Sequence, residues 1–246
     1  MSFKLEMCSF DLLSALIAQE AGAHRVELCA GPAEGGTTPG PGLIRAARER
    51  IHIDIYPIIR PRGGDFLYTE EEFDIMMKEV TYCKQAGCNG VVVGILHADG
   101  SIDKIRTSRL VEMAYPLGVT FHRAFDWAAN PFEALEDIIS VGCERILTSG
   151  QRPTAPEGAE LINELVRQAD DRIIIMPGSG VRADNIIALA EKTDASEFHT
   201  SARTSAPSLM EFINTSMKDD QSAVRADREE IEKIIRLLTE RQQPQN

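Results

Sequence analysis

A single α/β domain closed into a (β/α)8 barrel is the architecture this chain of 246 residues predicts, and three observations carry the prediction. Short strand-like runs alternate with amphipathic stretches along the chain, as in a parallel sheet covered by helices. The alternation yields eight candidate strands. The length and a hydrophobic content of 43% suit one barrel with one core. An open doubly wound sheet also alternates, but it carries fewer strands and often opens on a glycine-rich nucleotide fingerprint, which is absent here.

The strand candidates, in order, are Lys4–Cys8, Arg25–Cys29, Ile51–Ile59, Gly90–Ile95, Val119–His122, Arg145–Ser149, Arg172–Met176 and Ser196–His199. Clear helical periodicity fills Asp11–Ala21, Glu70–Gln85, Asp103–Ala114, Pro131–Ser140, Gly158–Gln168 and Ala183–Lys192. Gly22, Gly87, Gly118 and Gly142 read as helix stops. The barrel is expected over about 1–205 and a helical extension over about 206–240, within one domain spanning 1–246. In that extension Ala223–Thr239 reads as an extra C-terminal helix, outside the barrel or at a subunit contact. Ser201–Ser222 has no clear pattern, and the polar end Arg241–Asn246 is expected to fray.

Side chains alternate across a strand, and the apolar set must face the helices. That rule sends Phe3, Leu5 and Met7 outward and Lys4, Glu6 and Cys8 inward. In the second strand Val26 and Leu28 face out, and Arg25, Glu27 and Cys29 face in. In the third, Ile51, Ile53, Ile55 and Ile59 face out, leaving His52, Asp54, Tyr56, Ile58 and Arg60 inside. Thr120, His122, Glu197 and His199 also point in. An interior with this many ionisable groups requires pairing, and Arg25 with Glu6 or Glu27 is the obvious pair. Glu6, Arg25, Glu27 and Asp54 read as supporting groups.

The net charge of −12 disfavours a nucleic acid or an acidic membrane as partner, because those need clustered Lys and Arg. Neither a leader pattern nor an apolar run long enough to cross a bilayer is present, so a cytoplasmic protein is expected. The five cysteines lack the density of a secreted disulfide scaffold, and reduced thiols are expected. Cys83 and Cys88 have no second pair to complete a zinc site and read as structural.

Binding and catalytic groups of this fold gather at the C-terminal ends of the strands. Cys8, Cys29, Arg60, Arg62, His122, Arg123, Asp126, Thr148, Ser149, Gly178 and His199 all fall there and should meet at one mouth. Two chemistries compete for it. Cys8 and Cys29 end neighbouring strands about 4.8 Å apart, and paired thiolates select a soft ion such as Cu(I). The alternative is that both are small buried hydrophobes. Arg60, Arg62 and Arg123, with Ser149 and the Gly178-Ser179-Gly180 turn, suit a carboxylate or phosphate. That turn reads equally as an ordinary βα connection. An enzyme on a small anionic or phosphorylated metabolite would use His122 or His199 as acid or base, tuned by Glu27 or Asp126. Both histidines read as well as hydrogen-bonded core residues. His24, His52 and His97 look structural or exposed, and Trp127 either caps the pocket or packs. The glycine-rich stretch 35–40 covers the mouth or simply leads into a helix.

Five segments, RVELCAGPAEGGTTPG (25–40), IIRPRGGDFLY (58–68), FHRAFD (121–126), ILTSG (146–150) and MPGSGV (176–181), together resemble the CutC family. The likeness runs from EMCS at 6–9 to FHTSA at 198–202. It implies a cytoplasmic TIM barrel, often a homo-oligomer (dimer or tetramer), linked with copper homeostasis and Cu(I) binding. It further implies that Cys8 and Cys29 stand where the family's proposed Cu(I) ligands stand. Neither lies in a CxxC or MxCxxC loop, which disfavours a dedicated copper chaperone.

Overall fold

Strand and helix alternate from Lys4 to Gln242 in the computed structural model, which describes residues 3–217 and 221–242. The strands are β1 Lys4–Ser9, β2 Arg25–Leu28, β3 Asp54–Pro57, β4 Gly90–Val93, β5 Gly118–Phe121, β6 Arg145–Thr148, β7 Ile174–Pro177 and β8 Glu197–Thr200. The helices that follow them are α1 Leu12–Glu20, α2 Pro41–Arg50, α3 Glu70–Gln85, α4 Lys104–Ala114, α5 Pro131–Ser140, α6 Ala159–Ala169, α7 Ile186–Thr193 and α8 Arg228–Gln242. Between β8 and α8 the chain makes an antiparallel hairpin of β9 Arg203–Ala206 and β10 Ala223–Ala226.

Parallel pairing runs β3-β2-β1-β8 on one side and β4-β5-β6-β7 on the other. Ile58 bridges Val92 in parallel sense to join β3 to β4, and the Ile59 N–H donates to Val92 O at 2.8 Å. β7 meets β8 where Gly178 lies against the His199 side chain. The eight strands therefore close in chain order. Outward residues such as Leu5, Met7, Val26, Leu28, Ile55, Val93, Phe121, Ile146 and Phe198 are buried under the helices. Local sequence sets the helix starts: Asp11 caps α1 through the Ser14 N–H at 2.8 Å, Thr69 and Glu72 form a capping box on α3, and Asn130 precedes Pro131 at α5.

Five sequence expectations change here. The C-terminal helix is not an addition to a complete ring: α8 takes the eighth place, with Ile231, Ile234 and Leu238 buried. The extension opens as a strand, Ala223–Ala226, rather than as that helix. Helix α2 was hidden by its three arginines, since only Ile44 and Ala47 turn inward. The third strand starts at Asp54, so His52 and Asp54 lie exposed at the N-terminal rim instead of inside. Gly118 begins β5 rather than stopping a helix, because a Cβ there, or at Gly90, would run into the Tyr56 side chain. Of the end expected to fray, 243–246 lie outside the described residues, as do 218–220 of the patternless stretch.

The barrel's lower interior is ionic. Register places Glu6 of β1 opposite both Arg25 of β2 and His199 of β8. Arg25 bonds Glu6 through Nε and Glu197 through Nη2 at 2.8 Å. Arg145 shares Glu197 at 2.7 Å, and reaches Thr120 Oγ1 at 3.1 Å and Glu144 at 2.8 Å. Tyr56 OH donates to the same Glu144 carboxylate at 2.7 Å. Arg25 thus pairs with Glu6 and Glu197, not Glu27. Burial disfavours ionisation of Glu6, yet Arg25 and then His199 hold its carboxyl far below the usual range.

Replacing Arg25 by Met leaves Glu6 to His199 and Glu197 to Arg145, breaking the buried web, and should lower the unfolding free energy by about 3–5 kcal/mol in urea denaturation. A loss within about 1 kcal/mol would show that the web does not support the fold. Ile234→Ala should cost about 2–5 kcal/mol if α8 is part of the ring, whereas a peripheral helix would show a much smaller loss in the same assay.

Candidate functional site

Directly above the ionic floor, the next inward residues of β1 and β2 are sulfur and carboxylate. Cys8 Sγ and Cys29 Sγ are 3.6 Å apart, and Cys29 Sγ lies 3.4 Å from Glu27 Oε2. The ligand atoms of Cys8, Glu27 and Cys29 all fall within 4.8 Å of one another. Cys29 is buried and Cys8 half-buried, at the base of the mouth. Gly36 packs directly over Cys29, and its φ of 102° rather than space calls for glycine, since a Cβ there would only touch the sulfur at 3.5 Å.

His199 organises the charges around this pair. Its Nδ1 is 2.7 Å from Glu6 Oε1 and its Nε2 is 3.8 Å from Glu27 Oε2. Burial works against its charge, but contacts with Cys8 and Glu6, and the charge of Glu27, keep the imidazole protonated well above its ordinary range. The hydrogen bond with Cys29 pulls the Cys8 thiol down to about 6 against the opposing effect of burial, and His199 adds to the pull. Burial and then Cys8 push the Cys29 thiol well up. Burial, with the neighbouring Cys8 charge, likewise raises the Glu27 carboxyl. One thiolate therefore sits between an imidazolium and a thiol proton donor.

The donor set fits a soft ion. Thiolates favour Cu(I), and Glu27, a hard oxygen donor, supplies charge and hydrogen bonding beside the sulfurs rather than a soft ligand. Metal–thiolate bonds of about 2.3 Å, as in zinc sites, put two bound sulfurs at most about 4.6 Å apart. The pair, 3.6 Å apart, already lies within that limit, and only a linear arrangement would require it to open by about 1 Å.

The mouth is a cavity of about 390 Å³. Cys8, Glu27, Arg60, His122, Arg123, Gly180 and His199 line it, with Phe10, Ile58, Phe66 and Leu147 as apolar wall. His122 lies over Gly94, where a Cβ would clash with its ring, and its Nδ1 accepts from the Ala124 N–H at 3.1 Å. Burial and then Arg60 push its imidazole down to about 3. Arg60 donates to main-chain oxygens of Glu34 and Gly36, at 2.9 Å for the latter, and to Gly64 at 2.7 Å. Those bonds hold the glycine-rich loop over the mouth. Thr38 strengthens the tie, accepting from the Arg60 N–H and donating to Glu79 at 2.7 Å.

Residues 3–204 match the pattern that defines the CutC family. A CutC family protein of Chromobacterium violaceum is 52% identical over 208 residues, spanning 85% of this chain and 84% of that one. The chain belongs to the CutC family. A second relative, a CutC family protein of Parabacteroides distasonis, is 51% identical over 229 residues, covering 93% and 94% of the two chains. Among solved structures, the CutC protein of Streptococcus agalactiae, to which copper homeostasis is attributed, superposes with a TM-score of 0.78 at 32% identity. That superposition covers 81% of this chain and 98% of the other. The TIM-barrel architecture accords with that superposition.

Several sequence-nominated groups sit elsewhere than expected. Arg62 points away from the cavity to Glu72 and Asp65, because the turn at Gly63-Gly64 ends the strand alternation. Asp126 orients neither histidine; it accepts from the Ser149 N–H and Oγ, the Gln151 N–H and Arg123 Nε, bracing the β5 and β6 loops. Ser149 is fully buried in that brace, its Oγ also within 2.9 Å of Arg123 Nη2. Thr148 bonds the same carboxylate at 2.5 Å. Gly178 is a packing position, since a Cβ would strike Leu147 and crowd His199. Trp127 is exposed and does not line the cavity. Cys83 and Cys88 are buried beneath the helices. The sequence reading passed over Glu6 as the partner of His199, and over Arg182, Ser201 and Arg203 on the mouth. Strand register carries the first signal; Arg182 and Ser201 lie in the segments that follow β7 and β8, and only Arg203 belongs to the β9–β10 hairpin.

In the metal-free protein, deprotonation of Cys8 near pH 6 should give one thiolate absorbance step at 240 nm, absent in Cys8→Ser. A free thiol titrates near 8.5, so this ionisation stabilises the fold above that pH and the contribution is lost as pH falls through about 6. Absence of any thiolate below about pH 8 would contradict the charge arrangement.

Proposed function

We propose that this chain is a cytoplasmic copper homeostasis protein that holds Cu(I) between Cys8 and Cys29 at the barrel mouth. The observation that carries the reading is the pair of sulfurs 3.6 Å apart on adjacent strands, one of them held as a thiolate. Membership in the family supplies the copper context. All five cysteines are free thiols, which accords with a reducing compartment. No described helix is long and apolar enough to cross a membrane.

In this reading the chain contributes three things. Cys8 offers a thiolate at neutral pH, and Cys29 loses its proton on metal entry, so binding releases a proton. His199 and Arg25 lie near the resulting negative charge, and Glu6 fixes the imidazole. Ile58, Val92 and Tyr56 pack beside the sulfurs and keep the pair apart from bulk water. Copper, when bound, supplies a soft acceptor that matches the two sulfurs and not the oxygens around them.

An anaerobic Cu(I) titration against a competing chelator should find one ion per chain. Either Cys8→Ser or Cys29→Ser should weaken binding by more than about a hundredfold, beyond what loss of a supporting group costs. Cys143→Ser, on a buried thiol outside the site, should leave it unchanged. Equal binding by wild type and both site variants would sink the assignment.

A further inference from the structure

A chain with a net charge of −12 keeps three arginines without a carboxylate partner around one cavity. Arg60 is buried, and its guanidinium meets main-chain oxygens and the face of the Phe66 ring, 5.0 Å to the centroid, but no described carboxylate. Arg182 reaches the main-chain oxygen of Arg203 at 3.4 Å, and no described carboxylate pairs with either of them. By contrast Arg123, on the same rim, is neutralised by Asp126 at 2.7 Å. Of the three, Arg60 is buried, where a cation without a counter-charge is costly, while Arg182 is half-buried and Arg203 exposed at the rim, free to meet a ligand. The positive charge is left for something that enters the cavity.

Two further groups on the wall lack partners. The main-chain N–H groups of Gly180 and Val181, in the loop after β7, have no acceptor among the described residues. Gly180 adopts φ 72°, next to Ser179 at φ 75°, a left-handed pair in the loop that lines the cavity edge. Loops after the seventh and eighth strands of such barrels commonly present main-chain N–H groups to a phosphate. The second group is His122. Its Nδ1 accepts a main-chain N–H, so the neutral ring carries its proton on Nε2, and that atom is buried without a partner. An incoming molecule with an acceptor oxygen would satisfy it.

We propose that the mouth binds a small phosphate monoester, its phosphate held by Arg182, Arg203 and the Gly180–Val181 N–H groups, its body extending toward Arg60 and His122. The cavity of about 390 Å³ lies in the range of small-molecule sites. Guanidinium forks match phosphate oxygens bidentately, and the fully ionised monoester complements the paired charges. This site stands beside the copper reading and does not rest on it, since Arg182 and Arg203 are not among the sulfur pair's contacts.

The test is calorimetry with inorganic phosphate and glycerol phosphate on the reduced, metal-free full chain, with glycerol as the uncharged control. Binding of both phosphates, but not glycerol, is expected. Arg182→Gln and Arg203→Gln, both at the cavity rim, should each weaken it by about tenfold or more, the effect of losing one charged hydrogen bond. Arg62→Gln, outside the cavity, should bind as wild type does. No binding at millimolar phosphate would overturn the proposal, as would equal weakening by Arg62→Gln, which would mark a general charge effect. The Cu(I) titration of Arg182→Gln should match wild type, so that failure of one site leaves the other separately measured.

Discussion

Arg25, clamped between Glu6 and Glu197, is the contact on which both the barrel interior and the mouth depend. An ordinary barrel of this kind is filled with branched apolar side chains. Here the equivalent layers hold Glu6, Arg25, Arg145, Glu197 and Thr120, all buried. Each ion alone would be severely penalised, so the web is stable only as a set, and the set fixes the relative register of β1, β2, β6 and β8. Because Glu6 is held ionised by Arg25, its other oxygen is available to His199. His199 in turn adds to the pull of the Cys29 hydrogen bond that lowers the Cys8 thiol above it. The floor and the site are thus one continuous electrostatic construction.

Above that floor the mouth separates two kinds of chemistry by position. Sulfur and imidazolium gather on the side of β1, β2 and β8. The unpaired arginines and the neutral His122 face the cavity from the loops after β3, β5, β7 and β8. The division follows the local environment of each histidine: His199 faces two carboxylates and stays charged, whereas His122 faces Arg60 and stays neutral. The same residue type therefore serves opposite roles a few ångströms of barrel apart. Arg60 links the halves, since its bonds to Glu34, Gly36 and Gly64 hold the loop that roofs the cysteines.

Much of this was legible in the sequence wherever strand alternation held. Arg25-Val26-Glu27-Leu28-Cys29 has a single apolar parity, which forces the ionisable and sulfur groups inward, and the structure keeps that arrangement. Legibility ended where the period of two ended. His52 and Asp54 continue an apparent alternation of isoleucines, but His52 precedes the strand and Asp54 opens it, so both meet water at the rim. Arg62 lies two residues beyond Arg60 and so shares its parity on paper, yet the glycines that follow turn it outward to Glu72. Asp126 resembles a tuning carboxylate in sequence and is instead saturated by main-chain and hydroxyl donors from the next loop. Arg203 owes its place to a hairpin pairing between segments 203–206 and 223–226, a contact no local pattern reveals.

The central claim is that two sulfurs, and not the oxygens and nitrogens around them, define the metal site. Copper K-edge absorption spectroscopy of the anaerobically loaded chain reads that directly. The account predicts a Cu(I) edge with a first shell of sulfur alone, lost when Cys8 and Cys29 are both replaced by Ser. A first shell of nitrogen or oxygen, or a sulfur shell that survives the double replacement, would contradict it.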